Sequence, residues 1–68
     1  SRVNNKAVFE VTLLPSMEVL RVVKRSGSGN AAYDDAVERA ILKTSPFPPL
    51  PEGMSFREVR IMVLEFRP

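Results

Sequence analysis

The chain has 68 residues, 44% of them hydrophobic and 26% charged, an ordinary globular composition, so residues 1–68 are read as one domain that buries only about 60% of the surface its unfolded form exposes. It contains neither cysteine nor histidine. That removes disulfides, thiol nucleophiles, the usual zinc and copper ligands and histidine-based acid–base pairs, and the expectation is a protein without catalysis, metal or cofactor.

Ten basic and eight acidic residues, a net charge of +2, are scattered along the chain. Basic runs, stacking motifs for nucleic acid and apolar stretches of bilayer length are absent from the sequence. A chain that begins at Ser1 reads as a piece of a longer one, with any targeting segment elsewhere.

From Lys6 to Leu14, Phe9, Val11 and Leu13 alternate with Glu10 and Thr12, the period-two pattern of a half-buried strand. Val19 to Arg25 is apolar and β-branched and follows after Pro15, Ser16, Met17 and Glu18. An antiparallel hairpin is expected, closed by a loop around a type I turn with Pro15 early. Residues 26–30, SGSGN, punctuate the chain, and Asn30 is placed to cap a helix.

Tyr33, Ala36, Val37, Ala40 and Ile41 form one apolar stripe, with Asp34, Asp35, Glu38, Arg39 and Lys43 on the remaining faces. Pro46 ends that helix. Phe56 to Phe66 reads as a third strand, apolar on both sides: Val59, Ile61 and Val63 on one, Met62, Leu64 and Phe66 on the other. With a single helix to cover it, self-association as a homodimer or an extra covering segment is expected.

The order is β-β-α-β, an α+β fold whose three-stranded antiparallel sheet runs 2-1-3 if the third strand pairs with the first. The third strand is then an edge. It reads either as a covered structural strand or as a site for an incoming extended segment, through Glu58, Val59, Arg60, Ile61, Met62, Val63, Leu64, Glu65 and Phe66.

Other features carry weaker signals. SPFPPLP (45–51) contains two PxxP spacings that a polyproline groove could take, but it is tethered at both ends and reads as a connection, with Phe47 and Leu50 packing on the core. Asp34, Asp35 and Glu38 read as a solvated helix start, because neighbouring helical positions diverge by about 100°. Lys24 and Arg25 beside SGSG match neither phosphate-loop fingerprint. Tyr33 reads as structural.

The ordered set of these pieces resembles the C-terminal domain of TolA, in the TonB/TolA C-terminal superfamily. The pieces are the strand, proline turn and strand from Phe9 to Val23, then Lys24-Arg25-Ser26-Gly27, Tyr33-Asp34-Asp35, the Ala36-Val37 and Arg39-Ala40-Ile41 spacing, SPFPPLP and the Phe66-Arg67-Pro68 end. The resemblance implies a periplasmic interaction domain on an inner-membrane-anchored protein. It implies TolB as partner, with colicins and filamentous phage coat protein exploiting the same domain.

This chain departs from the pattern in having Ser16-Met17 where Asp-Gly is usual and Ala31 where proline is common. It also has only a short run before Lys6, so the helix that usually precedes the first strand lies upstream or is missing. Two alternatives remain: a TonB-like energy transducer serving outer-membrane receptors, and a nucleic-acid module using Arg21, Lys24, Arg25 and Arg57, although no nucleic acid is the expected partner.

Overall fold

A computed structural model describes residues 5–68. Strand β1 (Ala7–Leu13) and strand β2 (Val19–Ser26) lead into helix α1 (Ala31–Thr44), a short 3-10 turn (Phe56–Glu58) and strand β3 (Ile61–Phe66). The sheet is antiparallel throughout and ordered β2-β1-β3, so the expected β-β-α-β architecture is the one present. Among the described residues no helix is long and apolar enough to cross a membrane.

The central strand has the cleanest alternation, and the pleat makes it the floor of the core. Ala7, Phe9, Val11 and Leu13 point toward α1 and are buried, and Val37 and Ile41 meet them from the helix. Phe9 lies edge-on to Phe66 of β3, with ring centroids 6.4 Å apart and planes at 70°, a favoured aromatic arrangement.

The hairpin closes through Leu14 N–H to the Glu18 carbonyl, 2.8 Å, and Met17 N–H to the Leu14 carbonyl, 2.7 Å. Pro15 therefore takes the second position of a β-turn, where its fixed φ fits. Met17 follows with φ 73, in the left-handed region. A non-glycine residue there costs on the order of 1 kcal/mol, and the Met17 side chain offsets some of this by packing on the core.

The turn is tied down from outside. Phe47 N–H donates to the Met17 carbonyl at 2.8 Å, and Val19 N–H donates to Ser45 Oγ at 2.9 Å. Residues 45–51 are thus a connection docked on the hairpin turn, with Phe47 packed on the core and Leu50 half-buried.

α1 begins as its sequence requires, with Asn30 Oδ1 accepting from Tyr33 N–H at 3.0 Å. It lies over β1 and β2 and leaves β3 to one side. Two of the five stripe positions, Ala36 and Ala40, are exposed for that reason. Tyr33 reaches across instead, its hydroxyl donating to the Arg67 carbonyl at 2.8 Å.

Asp34 corrects an expectation. It is only 2% exposed, not solvated, and its carboxylate accepts from Ser28 Oγ at 2.7 Å, from Ser28 N–H at 3.2 Å, and from Lys24 Nζ at 3.3 Å. The glycines of SGSGN make this approach feasible. A Cβ on Gly27 would stand 3.0 Å from Asp34 Oδ2, and Gly29 has φ 95. Ser28, whose N–H could have served an anion, is thus already bound to the chain's own carboxylate.

The Ser28 hydroxyl, its N–H and Lys24 lower the Asp34 pKa from its ordinary value of 3.8, against the opposing effect of burial. A depressed folded-state pKa contributes stability above the unfolded value, and that contribution is lost as pH falls through the folded one. Asp34→Asn should accordingly destabilise at neutral pH and approach wild type once the pH has fallen below the lowered folded-state value. Urea melts at the two pH values test this, and a gap of equal size at both would show that the carboxylate charge has no part in it.

Candidate interaction edge

Among the described residues both outer strands have a side that pairs with no other strand, and the two differ. β2 pairs with β1 through two register shifts, between Val8 and Phe9 and between Thr12 and Leu13, which leave Arg25 and Leu20 as extra residues. Bulges twist an edge away from further pairing, and cationic side chains such as those of Arg21, Lys24 and Arg25 discourage it. The Val19 N–H is also taken, by Ser45.

β3 pairs with β1 from Ala7↔Phe66 to Thr12↔Ile61 without a shift. It carries one charged side chain, Glu65, which is bonded to Lys6 at 2.9 Å. A regular, apolar edge is the more competent template for another strand.

The phase of its hydrogen bonds follows from one contact. Leu13 N–H donates to the Arg60 carbonyl at 2.8 Å, which continues the β1–β3 register. Leu13 and Arg60 are therefore a hydrogen-bonded pair, and alternation makes Val11–Met62, Phe9–Leu64 and Ala7–Phe66 the next ones. The backbone groups of Met62, Leu64 and Phe66 point inward, and those of Ile61, Val63 and Glu65 point away from the sheet.

Side chains follow the same division. Met62, Leu64 and Phe66 are half-buried on the helix side. Ile61 is 53% and Val63 62% exposed on the open face, so the apolarity of both sides read from the sequence is real and one side is uncovered.

The nine residues from Glu58 to Phe66 are not all strand. Glu58 belongs to the 3-10 turn, where its Oε2 accepts from Ser55 N–H at 3.0 Å. Val59 packs on the core, and Arg60 offers its carbonyl inward. The expected strand start at Phe56 is thus corrected to Ile61. The signal was present as Ser55-x-x-Glu58, a helix-start pattern, with Phe56 and Val59 spaced for one turn.

Lys24, Arg25 and Arg57 do not share one surface. Lys24 turns toward the helix side to meet Asp34, whereas Arg25 meets Glu10 at 2.7 Å on the open face. Arg57 sits in the 3-10 turn.

A three-stranded antiparallel sheet with one helix and an unbulged apolar edge defines a small α+β module suited to protein contacts. The chain belongs to the TonB C-terminal family: the family described as TonB C terminal matches residues 1–64. This is a family of non-enzymatic, typically periplasmic interaction domains. No curated protein and no solved structure matches the chain significantly.

Proposed function

We propose that this domain is the periplasmic end of a TolA-like, inner-membrane-anchored protein that binds TolB-type partners by strand addition at β3. In that role it links the inner and outer membranes for envelope integrity, and colicins or phage coat protein exploit the same edge. The observation that carries the reading is the continuous β1–β3 register beside an outward row of backbone groups at Ile61, Val63 and Glu65. SPFPPLP after the helix favours the TolA-like member. The family match itself favours equally a TonB-like transducer that engages outer-membrane receptors, and the same edge would serve it.

Titration with a TolB-like N-terminal peptide, followed by amide shifts and exchange protection, tests the reading. Ile61, Val63 and Glu65 should gain protection. Val63→Pro removes an outward N–H, so the fold should persist while affinity drops by about tenfold or more; Met62→Pro removes an inward one and should unfold the chain. Protection confined to α1 or to the turn at 15–18 would sink the proposal. Stronger binding of a peptide from an outer-membrane receptor than of the TolB-like peptide would select the TonB-like member.

A further inference from the structure

Because α1 lies over β1 and β2, the helix side of β3 is walled on one flank only. Ala40, Ile41 and Thr44 of α1, Phe47 of the connection, and Leu64 and Phe66 of β3 line a cleft of about 290 Å³ there. Among the described residues no charged side chain lines it. Its one hydroxyl, on Thr44, already donates to the Ala40 carbonyl at 2.8 Å. Sites for small molecules begin at about 300 Å³ and carry a few polar groups that orient the ligand. This cleft sits at the bottom of that range with no hydrogen-bonding group free for orientation, which suits one or two apolar side chains and not a metabolite.

The cleft is continuous with the β3 edge. A strand added to β3 would lie about 4.8 Å beyond it, and the residue opposite Leu64 would share the helix side of the sheet with Leu64. Its side chain would stand at the cleft mouth. We infer that the cleft between α1 and β3 is a side-chain specificity pocket for the added strand, which fits an extended segment carrying a bulky apolar residue, such as Leu or Phe, opposite Leu64. The inference rests on strand addition at β3. Main-chain pairing along Ile61, Val63 and Glu65 supplies register without sequence preference, and the cleft supplies the preference. The neighbouring residues of the added strand face the open side beside Ile61 and Val63 and carry no comparable demand.

The test uses the 68-residue chain and short blocked peptides of alternating Thr and Val in which one position is Ala, Leu or Phe. Amide shifts of Ile61, Val63 and Glu65 report edge pairing, and methyl shifts of Ile41 and Leu64 report filling of the cleft. All peptides should move the edge amides. Replacing Ala by Phe should tighten binding by about tenfold or more, because the peptide can take the register that sets Phe opposite Leu64. Ala40→Phe, at an exposed position, should fill the cleft from the helix and abolish this preference.

Edge shifts with equal affinity across the series would overturn the pocket and leave strand addition standing. Cleft shifts without edge shifts, or no binding by any peptide, would overturn both. Leu64 methyls that move on dilution, or that show contacts to a segment of the chain itself, would assign the cleft to a second copy or to that segment and overturn the pocket.

Discussion

Val37→Asp and Ile41→Asp should each unfold this domain. Both side chains are buried against β1, Val37 at 9% and Ile41 at 5% exposure, and the carboxylate would face Phe9, Val11 and Leu13 with no cation among them. An unpaired charge in such a place costs several kcal/mol, against a total stability of about 5 kcal/mol for a chain of this size. Asp35→Ala, one helical position from the buried Asp34 but exposed, should leave the melting curve nearly unchanged. Thermal melts that show the three variants alike would mean that the helix packs through another face.

The second large effect is expected at Phe9. It is fully buried in the central strand and meets Phe66 across the β1–β3 pair, so it links the hairpin, the helix and the last strand. Phe9→Ala removes that volume at a cost of about 3–5 kcal/mol, which leaves little or no net stability. Phe9→Leu keeps most of the volume and should remain folded with a lower urea midpoint. If Phe9→Ala lost no more than Val8→Ala, whose half-buried side chain lies on the opposite face, the core would lie elsewhere.

These expectations bear on function because the β3 edge is only as well defined as the sheet behind it. The outward groups of Ile61, Val63 and Glu65 are aligned by bonds from the Met62, Leu64 and Phe66 backbone to β1. If partners add a strand at β3 as proposed, a variant that loosens the Phe9–Phe66 contact should weaken their binding even where the chain stays folded. Strand addition depends on a row of donors and acceptors held in register before the partner arrives.

The local pattern of the chain determined much of the architecture. The alternation at Phe9, Val11 and Leu13, the cap at Asn30, the Val37 and Ile41 positions and the stop at Pro46 are each settled within a few residues, by pleat, helix period and missing donors. Tertiary structure alone decided the rest. Asp34 carries the same local signal as Asp35, and what buries it is the return of Ser28 and Lys24 from outside the helix to satisfy its carboxylate. Phe56 and Val59 looked continuous with β3 because apolar content does not distinguish a strand from one tight turn; pairing with β1 begins only where Arg60 meets Leu13. The exposure of Ala36 and Ala40 and the cleft beside Leu64 follow from α1 lying over β1 and β2. An amphipathic stripe states that a helix has an inner face, but not how much of the sheet that face covers.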